Sequence, residues 1–403
     1  MEFLVDKYAD KLRRAGLCEN PVVGGLDDVL VWNRGADPAW TARLTPVFGR
    51  MNISGLVFGC PAEPFATILE FLAAEYPDGF APKDTETRTF LHELPVIHEF
   101  TPKAVADVLG RRKSVIIATP SVMGIAAHGS VTPEQGFVTF SSVCFSSFVL
   151  FFSEYLRHVR AGTVSPARRT AFEAAVAHLE PMVEQGPELA CGPFADREAA
   201  LQAMVEAGRA TVEYRLVDSY FGNISCLLNQ ELLISQTGSS LDELPGLIDF
   251  CPLDGSSTAC LTASSELTAH SQVYAKAGGR AILHGHPRFT VILSMDCAER
   301  GQNVTCEIGK LDLCHVKCPA KRYLSGEDGG VPIVPGEVGT GPNGLANTLP
   351  AAMTGRGAAA VWGHGLFTLG NTDFNQPFQA LLDIENGCRR RYFATVDAAE
   401  GRR

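Results

Sequence analysis

The chain has 403 residues, of which 46% are apolar and 20% charged, an ordinary globular composition with length for roughly two or three domains. Its 34 basic and 45 acidic residues leave a net charge of -11. This argues against non-specific nucleic-acid binding, which needs a basic face to displace counterions from phosphates. Twelve cysteines fall well short of a disulfide scaffold.

The first residues, Met1-Glu2-Phe3-Leu4-Val5-Asp6-Lys7-Tyr8, lack the basic start and apolar run of a secretory signal. The expectation is a cytoplasmic protein whose cysteines are thiols or metal ligands, so the sequons at Asn52, Asn223 and Asn303 carry no information. Short runs of Val, Ile and Leu then alternate with helical stretches, an α/β pattern. In chain order, a strand is expected over 55–58, helices over 65–76 and 103–109, and a strand over 114–118. The most apolar stretch, 136–150, contains Thr139 and four serines. It reads as a buried helix, too short and too polar to span a membrane. A helix over 166–178 follows, and then Pro181, Gly186, Pro187, Gly192 and Pro193 mark a linker at 181–196. Beyond it come a helix over 197–213, strands over 222–228 and 231–235, a helix over 265–277 and a strand over 281–286. The region 297–344 reads as a long elaborated loop. A strand over 358–363 and a helix over 375–392 close the chain. The domains are therefore 1–180, an α/β domain, and 197–403, which carries the chemistry.

The strongest chemical signal is His284-Gly285-His286-Pro287 at the end of an apolar run. On a strand, residues i and i+2 share a face, so both imidazoles can reach one ion. His364, in Gly363-His364-Gly365, also ends an apolar run. Three histidines with open positions make a catalytic zinc site, although an HxH pair is equally readable as two half-buried histidines bonded to backbone. Ser264-Ser265-Glu266 precedes a helix, where N-capping and the helix dipole suffice to explain it. Gly222-Asn223-Ile224-Ser225 and Gln236-Thr237-Gly238-Ser239 are tight turns or an anion nest.

Taken together and in this order, Gly-Asn-Ile-Ser (222–225), Thr-Gly (237–238), Ser-Ser-Glu (264–266), His-Gly-His-Pro (284–287) and Gly-His-Gly (363–365) resemble the class II aldolase/adducin family. The resemblance covers about 197–403. It implies a three-layer α/β/α domain around a mainly antiparallel sheet. His284, His286 and His364 are the implied ligands of Zn²⁺ or another divalent transition metal, and Glu266 the implied acid/base. Gly222, Asn223, Thr237, Gly238, Ser264 and Ser265 are the implied cradle of a substrate phosphate. The implied reaction is reversible C–C cleavage of a small phosphorylated ketose or hydroxy-carbonyl compound through an enediolate, in a homo-oligomer, dimer or tetramer, with no nucleic-acid or membrane partner. A sugar-phosphate dehydratase using the same site is one alternative, and a non-catalytic adducin-like assembly module is another. Related epimerases carry Asp at the place of Glu266, so Glu favours cleavage or dehydration.

Two features depart from the pattern. Seventy-seven residues separate His286 from His364, more than in shorter aldolases, and they include Cys297, Cys306, Cys314 and Cys318 with His315 adjacent. These cysteines suit a structural zinc, an iron–sulfur cluster, a labile disulfide or simply buried thiols. The tyrosine that family members contribute from a neighbouring subunit has only Tyr323 and Tyr392 as candidates.

The first half reads as a degenerate, shortened copy or as an unrelated α/β domain. Phe58-Gly59-Cys60-Pro61 parallels His284-Gly285-His286-Pro287, and Thr119-Pro120-Ser121 falls where Gly363-His364-Gly365 would. Phe58, Cys60 and Pro120 thus replace the three histidines, and no Ser-Ser-Glu precedes residue 58. Such a copy cannot hold zinc in the family manner. In a family of ring-like tetramers it would make a dimer pseudo-tetrameric. His92, His98, His128, His158 and His178 have no partners at metal spacing, His270 lies one turn after Glu266, and Arg288 is either an anion contact or a salt-bridging residue. Arg389-Arg390-Arg391 reads as basic charge near a helix end.

Overall fold

The computed structural model describes residues 1–218, 220–254, 256, 259–297, 313–317, 323–325 and 330–401. They fall into two units, Met1–Tyr155 with Val164–Glu180, and Leu156–Thr163 with Pro181–Arg403. Each is built on one seven-stranded sheet.

The first unit runs α1 (Glu2–Arg14), β1 (Val22–Leu26), β2 (Leu30–Trp32), α2 (Pro38–Phe48), β3 (Gly55–Gly59), α3 (Phe65–Glu75), β4 (Gly79–Phe80), β5 (Leu94–Ile97), α4 (Pro102–Leu109), β6 (Ser114–Thr119) and β7 (Val122–Gly129). Helix α5 (Pro133–Ala161) begins in this unit and α6 (Pro166–Ala177) lies in it. Local chemistry sets several starts. Asp37, Thr101 and Ser165 accept the amides of Ala39, Ala104 and Arg168, each just before a proline at the first helical position. The sheet order is β2-β1-β3-β7-β6-β5-β4, antiparallel except for β5 beside β6. Leu56 and Phe58 face the helical layer of α2 and α4 in one apolar cluster, while Val57 faces α5 at Gly136.

The second unit runs α7 (Arg197–Glu213), β8 (Asn223–Leu228), β9 (Glu231–Ser235), β10 (Ile248–Pro252), α8 (Leu267–Ala277), β11 (Ala281–Gly285), α9 (Arg288–Met295), β12 (Ile333–Val334), α10 (Leu345–Met353), β13 (Ala358–Val361), β14 (Gly365–Gly370) and α11 (Asn375–Glu400). Its sheet order is β10-β9-β8-β11-β14-β13-β12, antiparallel except for β12 beside β13. Helices α8 and α10 bury one face with Ile234, Ile282, Val361 and Phe367, and α9 and α11 cover the other. Each unit is thus a three-layer α/β/α sandwich. With the edge strands β4 and β10 set aside, the six remaining strands of the two units agree in order, sense and connection. The first half, expected to be a shortened repeat, keeps all six of these strands.

Several boundaries differ from expectation. Helix α5 spans 29 residues, long and apolar enough to cross a membrane by length and composition, yet 83% of its most apolar window is buried in the protein. Buried serines inside an aromatic helix disguised its extent. Helix α11 continues to Glu400, so Arg389-Arg390-Arg391 sit within it rather than at its end and do not meet its dipole. They are used sideways instead: Arg390 pairs with Glu184 at 2.9 Å and Arg391 donates to the Leu324 carbonyl at 2.8 Å. The 181–196 segment is strapped along α11, with the Gly186, Leu189 and Gly192 amides bound by Gln379, Asn375 and Asp373. Of the long loop over 297–344, the described parts include a helical turn at Cys314–Lys317 and β12. Cys306 and Cys318 lie outside the described residues.

Candidate metal centre

Strand pleating sets the site. Residues Asn223, His284 and Phe367 stand in one row across β8, β11 and β14. The row faces the α8 layer, because Ile282 two residues before His284 packs there. Phe367 stacks on the His284 ring at 3.9 Å. His286 lies just past the end of β11, and His364 ends the short connection from β13 to β14. Potential ligand atoms of His284, His286 and His364 all lie within 4.8 Å of one another, and ring centroids are 4.9–5.0 Å apart. Among the described residues this is the one group of side chains with metal-holding geometry.

Two glycines permit this crowding. A Cβ at Gly365 would lie 2.3 Å from the Gly285 carbonyl oxygen and 2.8 Å from ring carbons of both His284 and His286. At Gly222 it would lie 2.5 Å from the His284 carbonyl oxygen.

His284 Nδ1 is 3.2 Å from the Leu366 carbonyl oxygen. A carbonyl only accepts, so Nδ1 carries the proton and the Nε2 lone pair faces the trio. That Nε2 is buried without a hydrogen-bond partner. Burial lowers the pKa of His284, opposed by the nearby Glu266 carboxylate. Burial also holds His286 well below the ordinary value, helped by the neighbouring imidazoles of His364 and His284. His284 and His286 are therefore neutral imidazoles at neutral pH, the form that binds metal. Three buried nitrogen donors, one of them otherwise unsatisfied, fit a divalent ion that prefers nitrogen ligands.

Glu266 stands at the first turn of α8 and is 4% exposed. Its Oε2 is 3.7 Å from His284 Nε2 and its Oε1 3.8 Å from His364 Nε2. The Asn223 amide donates to Oε2 at 2.6 Å. Asn223, expected in the phosphate cradle, is thus engaged with the carboxylate. The remaining cradle residues converge by backbone pairing. Gln236 bridges Ala263, the Thr237 amide donates to Thr262 O at 2.9 Å, and the Ser264 amide donates to Ser235 O at 3.0 Å. Exposed Thr237 and Gly238 consequently lie alongside buried Ser264 and exposed Ser265.

Behind the trio lies a buried network of which the sequence offered only His270, one turn after Glu266. Ser225 Oγ is 2.7 Å from His270 Nδ1 and 2.8 Å from the Tyr274 hydroxyl, which also donates to Ser225 O. Burial pushes the His270 pKa down to about 3. The available signal was spacing: Glu266, His270 and Tyr274 recur every four residues, one face of a helix. Other candidates serve structure. Tyr392 is fully buried against Phe289 and Phe393, Tyr323 lies under the Arg356 guanidinium, and Arg288 pairs with Asp218 at 3.1 Å. His98 touches the Ala118 and Pro77 carbonyls, and His158 the Thr163 hydroxyl. His128 is partly buried, His92 is exposed at positive φ, and His178 follows α6.

The first unit fills the equivalent place with aromatic rings. Register matches Phe58 to His284, since Phe58 pairs Val22 and Ala126 as His284 pairs Asn223 and Phe367. Phe58 packs against Trp40 at 5.2 Å and Phe100 at 5.0 Å, with the Arg43 guanidinium over Trp40 and Phe100. Gly124, the counterpart of Gly365, makes room for the Phe58 ring as Gly365 does for the histidines. Cys60, at the place of His286, is exposed. Pro120 is a poor counterpart of His364, because the β6–β7 hairpin continues two rungs further than β13–β14.

A parallel-edged antiparallel sheet lies between helical layers, with three histidines at strand ends and a carboxylate from a helix start forming a candidate metal centre. Residues 202–392, the greater part of the second unit, match the family described as Class II Aldolase and Adducin N-terminal domain. Among solved structures, L-fuculose-1-phosphate aldolase from Thermus thermophilus is similar at 20% identity, covering 47% of this chain and 92% of that one with a TM-score of 0.36. YgbL from Klebsiella pneumoniae, for which aldolase, epimerase and decarboxylase are alternative readings, is similar at 23% identity over 49% of this chain and 91% of that one, TM-score 0.37. A sugar-phosphate aldolase from Thermotoga maritima is similar at 18% identity over 48% and 93%, TM-score 0.33. No curated protein matches the chain.

Proposed function

We propose that the second unit is a metal-dependent lyase that reversibly cleaves a C–C bond in a small phosphorylated ketose or hydroxy-carbonyl compound. The observation that carries this reading is the carboxylate of Glu266 lying 3.7 and 3.8 Å from imidazole nitrogens of a buried histidine trio. His284, His286 and His364 would hold the ion, with zinc expected from the all-imidazole donor set. When bound, a divalent ion supplies Lewis-acid polarisation of a substrate carbonyl. The protein's own groups do the rest. Glu266 takes and returns a proton at Oε1, while Asn223 holds Oε2 and so fixes the carboxylate plane. Beside Thr237, the amides of Gly222, Gly238 and Ser265 and the hydroxyls of Ser264 and Ser265 receive the phosphate and orient the substrate without a cationic side chain. The enzyme is read as a cytoplasmic homo-oligomer, with the first unit as a scaffold that has no metal chemistry.

Elemental analysis of the purified protein beside a His284→Ala/His286→Ala variant tests the centre. One divalent ion per chain, lost in the variant, is expected. Glu266→Gln should keep the ion and lose chelator-sensitive cleavage of phosphorylated ketoses. A Glu266→Gln enzyme of near-normal rate would overturn the assignment, and protein that binds no metal after reconstitution would leave the adducin-like assembly reading.

A further inference from the structure

Strand β10 has no counterpart in the first unit, and it carries a carboxylate on its buried face. Asp249 pairs with Ile234 of β9 and therefore points toward the α8 layer, where it is 8% exposed. It accepts the Gln236 side-chain amide on Oδ1 at 2.7 Å and the Thr262 hydroxyl on Oδ2 at 2.7 Å. Neither contact is to a cation. Gln236 immediately precedes Thr237-Gly238, and Thr262 lies two residues before Ser264-Ser265. The two segments meet at a single isolated rung, Gln236 with Ala263, rather than in a continuous strand pair. Two backbone bonds and the Thr237 hydroxyl on the Ala263 carbonyl hold this short pairing, and a carboxylate bonded to side chains on both segments stiffens it further.

We propose that Asp249 is a positioning residue that clamps the two halves of the anion cradle at the spacing a phosphate group requires. The proposal rests on the reading of Thr237, Gly238, Ser264 and Ser265 as that cradle. Asp249 touches no substrate. It acts through Gln236 and Thr262, and its absence from the first unit accompanies the absence of a metal centre there.

The clamp is tested on the metal-loaded full chain with Asp249→Ala and Asp249→Asn, with inorganic phosphate as the probe. Asparagine can keep both bonds, Oδ1 accepting from Gln236 and Nδ2 donating to the Thr262 hydroxyl. Losing two charge-assisted bonds in Asp249→Ala should weaken phosphate about tenfold and speed amide exchange at Thr237 and Ser264, with metal content unchanged. Asp249→Asn should restore phosphate binding to within about twofold of wild type, a rescue that follows from its retained bonding pattern. Thr262→Val, which removes one arm and leaves the carboxylate, should fall between them. If wild type binds phosphate and Asp249→Ala binds it equally well, the clamp is refuted and the cradle stands. If wild type binds none, the cradle reading fails and the proposal with it.

Discussion

Replacing Gly365 by alanine should cripple metal binding by sterics alone. The added methyl would sit 2.3 Å from the Gly285 carbonyl oxygen and 2.8 Å from both His284 Cε1 and His286 Cδ2. Ordinary contact begins near 3.5 Å, so β11 must retreat by about 1 Å and the two rings by more than half of that. Metal–ligand distances tolerate about 0.2 Å. Overpacking at a site walled by backbone costs about 1–3 kcal/mol of stability, and displaced ligands cost about 10- to 100-fold in metal affinity. Gly124→Ala is the matched control. Its methyl would meet at 2.8 Å the ring of Phe58, which stands in the place of His284, so stability should fall comparably and metal affinity not at all. Zinc competition against a chromophoric chelator measures affinity, and urea unfolding of stripped protein measures stability. A Gly365→Ala protein that binds zinc as tightly as wild type would refute the trio as the metal centre.

Other consequences follow from named contacts. Arg168, 3% exposed, pairs with Glu154 and Glu75 while the Tyr76 hydroxyl donates to Glu154. Arg168→Met strands the largely buried Glu154 carboxylate and should cost about 3 kcal/mol in urea unfolding, and a loss below about 1 kcal/mol would contradict this. The pKa values of His284 and His286 are lowered by burial and that of His270 lies at about 3, so in this range the unfolded chain binds protons that the folded chain refuses. Stability of stripped protein should be full above the ordinary imidazole pKa of 6.5 and fall as pH drops below it. A flat profile from about pH 7 to 4 would contradict the burial. Arg288 anchors Asp218 in the loop that leads to Gly222. Arg288→Ala should raise KM about fivefold with metal content intact, and Arg288→Lys should recover part of it, as steady-state kinetics would show.

The sequence revealed most where chemistry and periodicity coincide. Strand β9 and helix α7 matched expectation to the residue because each has clean period and ends, with Asp196 capping α7 through the Ala199 amide. The five motifs likewise come together around the candidate site, since each sits at a strand end or helix start that the neighbouring pattern announces. What stayed hidden depends on pairing across the chain. Nothing local says that the Asn223 amide turns to Glu266, that Asp249 reaches both Gln236 and Thr262, or that Ser225 lies between His270 and Tyr274. Strands β1 and β7 went unread for another reason: Gly24, Gly25, Gly124 and Gly129 interrupt their apolar runs to admit close neighbours. The terminal arginines misled because charge near a chain end looks like a helix end, and α11 had more than two further turns to run.

The longer hairpin of the first unit sets a limit on what substitution can recover there. Histidines introduced at Phe58 and Cys60 would take up two ligand places on an intact scaffold. The third place is gone, because β6 and β7 stay paired through Thr119 and Val122 where the second unit has already turned at His364. Two extra rungs carry the turn outward by about 7 Å, beyond the reach of an imidazole. Rebuilding a centre would demand a shortened hairpin as well as new side chains. The loss is thus written into backbone length, and drift at single positions has no short way back.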